Sequence, residues 1–395
     1  MRWKGIVIRM NILVMTPLYY IDGRSDLVHD TSAIHYLLKN ISVSHNIIVI
    51  NTYEHERHRI FRLLNKKYRT FYFSDYFFEK DGIKVYLIEN QKITTNRLVG
   101  FNCKKIIKHT QRILYNERFS PDIVVVHFPS KAVGYIDNIA KGVKKVAILH
   151  ESDVTLIGMM PKILDEIQLQ YSHFFARSKK IRDKFDELGL SNLSTEIVYS
   201  GAPTTNCKVK DRHFWSEFRK RPITILYAGK LIERKHIDWI IECLSRMNDP
   251  RLQFRIIGNG EQRTFLEQTI IDYDLKKQVT LLPEMSRSNV INEMVNADIF
   301  CMPSTGETFG LVYLEAMACG CITIGTKHEG IDGVIRDGEN GLLISGREEL
   351  CSCLQHIIYD MTIDELVDMS SKAIDTGKDF SEENMSKRYF DLITQ

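Results

Sequence analysis

The sequence predicts an α/β protein with two doubly wound parallel sheets, and three observations carry that prediction. The chain has 395 residues, too many for one ordinary core and suited to two domains of roughly 150–200 residues each. Short, nearly continuous apolar runs alternate with longer segments of helical spacing, the pattern of parallel strands covered on both faces. The alternation breaks once, at the polar, turn-rich stretch GAPTTNCKVKDRHFWSEFRKRP (201–222), and then restarts.

In chain order, the first half offers strands at NILVMTP (11–17), NIIVINTY (46–53), IKVYLI (83–88), DIVVVHF (122–128), KVAILH (145–150) and HFFARS (173–178). Segments such as TSAIHYLLKNI and CKKIIKHTQRILYNERF supply helices between them. The second half repeats the pattern with ITILYAGK (223–230), FRIIGNG (254–260), VTLLP (279–283), ADIFCMPS (297–304), CITIGT (321–326) and GLLI (341–344). The expected organisation is a first domain over 10–200, a linker over 201–221, and a second domain over 222–375. A terminal amphipathic helix over 376–395, read from FSEENMSKRYFDLIT, is expected to pack back on the first domain.

Apolar residues at 44% and charged residues at 26% are those of a soluble globular protein. No apolar run approaches the roughly 18–20 residues that span a bilayer. The start, MRWKGIVIRM, runs straight into a strand and does not read as a signal peptide; MNILVMTP from Met10 is an equally good beginning. The eight cysteines lie mostly in apolar segments and are expected as reduced thiols of a cytoplasmic protein. The pairs Cys319/Cys321 and Cys351/Cys353 lack a second Cys/His pair at zinc spacing, so no metal site is expected. Charge is uneven: residues 1–200 carry 30 Lys/Arg against 20 Asp/Glu, and residues 201–395 carry 23 against 30. A basic first half can attract phosphates, nucleic acid or an anionic membrane face, or equally be a solvated surface that happens to be basic.

Open parallel sheets bind ligands beyond the carboxyl ends of their strands. The residues there are Thr16 and Pro17, His127, His150 with Glu151, Ser178, Gly229 with Lys230, Gly258 to Gly260, and Ser304 to Thr308. In AGKLIERKH the chain turns at Gly229 and enters a helix carrying Lys230, Arg234 and Lys235. Positive charge is unfavourable at a helix N-terminus, which points to a phosphate ligand there; the GxxxxGK[ST] string of a Walker loop is absent. The turn GNGE places Gly258 and Gly260 where a ligand could approach backbone, a weak signal that a simple tight turn explains equally well. Asp272-Tyr-Asp274 has the spacing of a metal–nucleotide pair, but its setting reads as a helix end at the surface.

The stretch GETFGLVYLEAMACG (306–320) holds Glu307 and Glu315. A helix starting near Thr308–Gly310 and stopping at Gly320 separates them by roughly 10 Å or more along its axis. Glycosidase carboxylate pairs stand about 5–5.5 Å or 6.5–9.5 Å apart, so a hydrolytic dyad is disfavoured. One extended ligand lying along the helix N-terminus could meet both.

PSTGETFGLVYLEAMACGCITIGTKHEGIDGVIRDGENGLLI (303–344), with AGKLIERKH, RIIGNGE and LLPEMSRSNVINEMVNADIF before it, resembles the signature of family 4 retaining glycosyltransferases. The likeness covers about residues 222–345. VVVHFPS, AILHES, FFARSKKIRDKFDELGL and IVYSGAP follow the family order more loosely. The resemblance implies a GT-B fold, two Rossmann-like domains facing across a cleft, and a nucleotide-diphosphate sugar as donor. By that likeness Glu307 meets the sugar hydroxyls, with Thr308 and the backbone of Phe309 and Gly310 beside it. Glu315 holds the ribose, Lys230 and Lys235 neutralise the diphosphate, and His150 sits at the reacting face of the sugar. It implies no cofactor, no metal and no nucleic acid, and a lipid-linked or oligosaccharide acceptor in cell-surface polysaccharide synthesis.

Three departures qualify the likeness. Lys230 stands where the family usually has Arg and gives no planar bidentate contact, a gap Arg234 could fill. HEGIDGV, with Glu329, Gly330 and Gly333, replaces the common Gly-Gly-x-Pro-Glu segment. The Gly-rich first loop is reduced to YYIDGRSDLVHDTS. The basic segments 57–69 and 103–115 suit peripheral contact with an anionic membrane face, or equally a helix packed on its own sheet. The alternatives are a sugar-nucleotide epimerase of the same fold and a non-catalytic nucleotide-sugar-binding partner of another transferase.

Overall fold

β-Branched and aliphatic side chains fill the strand runs so completely that Ile12, Leu13, Val14, Val124 and Val125 are fully or almost fully buried. Strands buried on both faces need layers above and below, and parallel pairing with helical crossovers supplies them. The computed structural model describes residues 9–19, 32–55, 76–88, 90–91, 96–189, 195–203 and 210–395. The segment 57–69 and nearly all of the first loop lie outside the described residues.

The chain divides into two compact units: residues 1–177, 181–198 and 385–395 in the first, and 178–180 and 199–384 in the second. The strands of the first half are β1 (Asn11–Thr16), β2 (Asn46–Asn51), β3 (Glu54–His55), β4 (Tyr76–Lys80), β5 (Ile83–Leu87), β6 (Asn90–Gln91), β7 (Ile123–His127), β8 (Lys144–Leu149), β9 (His173–Ala176) and β10 (Thr195–Ile197). Eight of them form one sheet in the order β10-β9-β8-β7-β1-β2-β5-β4. All neighbours are parallel except β4, an antiparallel edge strand against β5 that the apolar pattern does not reveal. The order reverses at β1, so the carboxyl ends of β1 and β7 frame a crevice, with His127 closing β7.

The second unit has β11 (Ile223–Ala228), β12 (Leu252–Ile257), β13 (Val279–Leu282), β14 (Ile299–Cys301), β15 (Ile322–Thr326) and β16 (Leu342–Ile344). Their order is β13-β12-β11-β14-β15-β16, all parallel. This is the 3-2-1-4-5-6 order of a Rossmann sheet, whose switch point lies between β11 and β14. Asp298 fixes that junction. Fully buried, its carboxylate accepts the Thr224 N–H at 2.8 Å and a two-pronged contact from Arg221 at 2.9 and 2.6 Å. Its backbone donates to Thr224 O and accepts from the Ile322 N–H, tying three strands in register.

The structure corrects several expectations. Residues 210–221 are not a linker but part of the second unit, with Trp215 and Phe218 fully buried in its core. Two aromatic anchors make a polar-looking segment a packed one. The last helix is Glu382–Thr394, preceded by the helix Ile363–Asp379, so 376–395 holds a helix break. Cys243 and Cys351 are joined in a disulfide between the helices Ile237–Met247 and Arg347–Gln355. Their 108-residue separation hides the pair from any spacing argument. Cys103, Cys301, Cys319, Cys321 and Cys353 are thiols. The stretch 103–115 lies on the helix Asn96–Asn116 and buries Ile106, Ile113 and Leu114 in the first unit's core, so its apolar side is already occupied. Among the described residues no helix is long and apolar enough to cross a membrane.

Removing the Arg221 guanidinium leaves the Asp298 carboxylate buried without its cation. Arg221→Ala is expected to lower the unfolding free energy by about 3 kcal/mol, read as a shifted urea midpoint at constant slope. A change below about 0.5 kcal/mol would remove Asp298 from this role.

Candidate active site

The switch point of the second unit brings two loops together. One leaves β11 through Gly229 and Lys230 into a turn of 3-10 helix at Glu233–Lys235. The other leaves β14 and runs from Met302 to Gly310, where the helix Leu311–Ala318 begins. Gly310 adopts the left-handed region (φ 79°) and has the Tyr313 ring 2.7 Å from where a Cβ would stand, so only glycine fits. The helix closes at Gly320 (φ 71°), as the sequence suggests.

Glu307 is the centre of this arrangement. Its carboxylate pairs with the Lys235 ammonium, and the side chains are only 14% and 9% exposed. Arg234 Nη1 lies 3.7 Å from the same oxygen and donates to the carbonyls of Thr305 and Gly306 at 3.2 and 3.3 Å. The Thr305 N–H donates back to Arg234 O at 2.9 Å, and His236 Nε2 is hydrogen-bonded to Thr305 Oγ1 at 3.0 Å. Burial lowers the Lys235 pKa and the Glu307 carboxylate opposes that shift. Thr308 is exposed and Phe309 is buried.

Glu329 and Gly330 brace this loop from the other side. The Glu329 carboxylate accepts the N–H groups of Gly306 and Glu307 at 3.0 and 2.8 Å and pairs with Lys180 at 2.9 Å. The Gly330 N–H donates to Glu307 O at 3.0 Å. A Cβ on Gly330 would stand 2.2 Å from the Thr308 carbonyl.

Lys230 and Gly229 are exposed at the mouth of the β11 loop, and Lys230 O accepts the Tyr227 hydroxyl at 2.8 Å. Gly258 and Gly260 have a packing role. A Cβ on Gly258 would stand 1.9 Å from Gly229 O, and one on Gly260 2.2 Å from Leu231 O. These glycines let the β11 and β12 loops continue side by side, with the Leu231 N–H donating to Asn259 O.

Glu315 lies one turn and more into the helix, buried, in contact with Arg287. Burial raises its pKa and Arg287 opposes the shift. The sequence reading missed Arg287. Its signal was a cation at the first position of the helix Arg287–Asn296, which the Ser286 hydroxyl caps, the same dipole anomaly that marks the Lys230–Lys235 turn. Asp272 and Asp274 lie at the exposed end of the helix Arg263–Asp272.

In the first unit, His150 precedes the helix Glu151–Met159. Its Nε2 is hydrogen-bonded to His127 Nδ1 at 3.1 Å, and His127 Nε2 to the Tyr389 hydroxyl at 3.3 Å. The His150 ring stacks on Phe128 with centroids 3.6 Å apart. Burial pushes both imidazoles well below the usual histidine range, with nearby Arg177 adding to the effect. Both are therefore neutral at pH 7. Asp153 holds this corner: its carboxylate accepts the N–H groups of Ser130 and His150 at 3.0 and 2.8 Å and the Ser130 hydroxyl.

Known proteins share this architecture. The Anabaena protein Alr3699/HepE, solved in complex with UDP-glucose, matches with a TM-score of 0.66 at 17% identity over 97% of this chain and 99% of its own. The fold is GT-B, built here from two Rossmann-like units. Residues 209–366 match the family model described as Glycosyl transferases group 1. The N-acetyl-alpha-D-glucosaminyl L-malate synthase of Bacillus anthracis is 25% identical over 241 residues, 58% of this chain and 62% of its own length. The amylovoran biosynthesis glycosyltransferase AmsK of Erwinia amylovora is 26% identical over 246 residues, 57% and 58% respectively. The chain thus spans about three fifths of the length of these curated relatives.

The buried Asp153 carboxyl gives a pH test. Burial raises its pKa from 3.8 to about 6, so the folded chain holds this proton more tightly than the unfolded one. Its contribution to stability is complete below about pH 4 and is lost as pH rises through 6, a loss of about 3 kcal/mol. Urea unfolding at pH 4 and pH 7 should show the wild type losing that much more than Asp153→Asn. Parallel profiles would contradict the shift.

Proposed function

We propose that the chain is a family 4, retaining glycosyltransferase moving a hexose from a nucleotide-diphosphate sugar to a hydroxyl acceptor, independently of metal. The observation that carries this reading is the gathering of Lys235 and Arg234 around Glu307 at the β11/β14 switch point, beside the N-terminus of the helix Leu311–Ala318.

Glycosyl transfer builds positive charge on the sugar and negative charge on the departing diphosphate. Lys235, Arg234 and Lys230 offer fixed cations to the diphosphate, which stabilise the transition state more than the bound donor. That positive charge does the work a divalent cation does in other transferases. Glu307 accepts hydrogen bonds from the sugar hydroxyls, and the backbone of Thr308, Phe309 and Gly310 lies beside it at a helix start, where partial positive charge favours an anion. Glu315 accepts from the ribose hydroxyls, with Arg287 holding its carboxylate in place. The neutral imidazole of His150 serves the reacting face of the sugar. Gly229, Gly258 and Gly260 shape the loop that receives the nucleotide.

The acceptor is proposed as a lipid-linked or growing oligosaccharide handled in the cytoplasm, with peripheral contact to the inner membrane face. The amylovoran enzyme among the relatives supports a polysaccharide pathway, and the excess of Lys/Arg in residues 1–200 supports an anionic surface.

The test is release of nucleoside diphosphate from UDP-, GDP- and ADP-sugars. Lys235→Ala and Glu307→Ala should each lower kcat by about 10²–10³-fold in a folded protein, and wild-type activity should survive excess EDTA. Near-normal turnover in either variant, or loss in EDTA reversed by a divalent ion, sinks the assignment.

A further inference from the structure

We propose that Glu329 is a positioning residue for Glu307, acting as a carboxylate strut under the loop that carries it, with Lys180 as its counter-ion. The inference rests on the reading of Glu307 as the residue that meets the donor sugar.

Three contacts define the strut. Glu329 Oε1 takes the Gly306 N–H and Oε2 takes the Glu307 N–H, at 3.0 and 2.8 Å. Two successive peptide N–H groups facing two carboxylate oxygens form a small anion-binding nest, and such charge-assisted bonds are stronger than neutral ones. Lys180 Nζ then pairs with Oε2 at 2.9 Å, with both side chains nearly buried at 12% and 13% exposure. The next residue completes the grip, because the Gly330 N–H donates to Glu307 O at 3.0 Å. The Glu307 peptide is thus held at its N–H by Glu329 and at its C=O by Gly330, while its side chain is held by Lys235.

This arrangement settles which backbone donors remain for a ligand. The Gly306 and Glu307 N–H groups are committed to Glu329, so an anionic donor must use those from Thr308 onward. It also assigns a purpose to HEGIDGV, where the sequence departs from the common family segment. The carboxylate is required rather than its size. In Glu329→Gln the amide has one acceptor oxygen, and its NH₂ group faces a peptide N–H that it cannot accept.

Residue-resolved hydrogen–deuterium exchange of wild type and Glu329→Gln tests the strut without any substrate. The Gly306 and Glu307 amides should exchange about tenfold or more faster in the variant, with distant helices unchanged. Unchanged exchange at these two amides overturns the proposal. The use of the strut is read kinetically, with whichever of UDP-, GDP- and ADP-glucose the wild type turns over. Glu329→Gln should lower kcat about 10–100-fold with donor KM within about threefold. In the Glu307→Gln background it should add almost nothing, because it acts through Glu307. An equal loss in that background overturns the positioning role. If Glu307→Gln itself stays active, the proposed function fails while the exchange result still decides the strut. Lys180→Met tests the same strut from its other end if Glu329→Gln folds poorly: faster exchange at the two amides supports it, and protection unchanged from wild type overturns it.

Discussion

The ion pair between Lys235 and Glu307 is the interaction on which the rest of the second unit's site depends. Two nearly buried charges stay in place only as partners, because either alone would carry a desolvation penalty of several kcal/mol. Their partnership needs two loops from non-consecutive strands to meet, and the Rossmann strand order supplies that meeting at β11 and β14. Everything nearby serves the approach. Asp298 and Arg221 hold β11 and β14 in register, Gly258 and Gly260 let the β12 loop run against the β11 loop, and Gly310 lets the chain turn into its helix beside Glu307. The bond between chemistry and fold is therefore tight: the cations cannot gather without the switch point.

The first unit solves a different problem. His127 and His150 lie at the carboxyl end of its sheet and are buried among Phe128, Tyr389 and each other. Burial keeps them neutral, so they offer hydrogen bonds rather than charge. The second unit gathers cations around a carboxylate, and the first gathers neutral imidazoles around an aromatic corner.

The fold was legible because parallel strands buried on both faces must be nearly continuous runs of Ile, Val and Leu, and twelve of the expected runs contain observed strands. The edge strand β4 escaped because only one neighbour pairs with it and three of its five residues are exposed, none of them buried. Glu307, Glu315 and the Lys230–Lys235 turn were singled out by a motif and a dipole anomaly. Their partners were not, since Lys235 finds Glu307 72 residues away, Arg287 finds Glu315 28 away, and Lys180 finds Glu329 149 away. Such pairings exist only once the strands are ordered. The disulfide and the buried Trp215 were hidden for the same reason, and for Gly258 and Gly260 the sequence left ligand approach and a simple tight turn equally open, where the structure shows backbone crowding that glycine relieves.

The Glu307–Lys235 loop pair and Glu315 are proposed to form a nucleotide-sugar site. Thermal unfolding of the wild type and Glu315→Ala with UDP, GDP, ADP and their glucose conjugates tests it most directly. One base should stabilise the wild type by about 2.7 kcal/mol when present at 100 times its Kd, and Glu315→Ala should lose most of that gain at the same concentration. No stabilisation by any nucleotide, or an equal gain in the variant, would remove the nucleotide from this site.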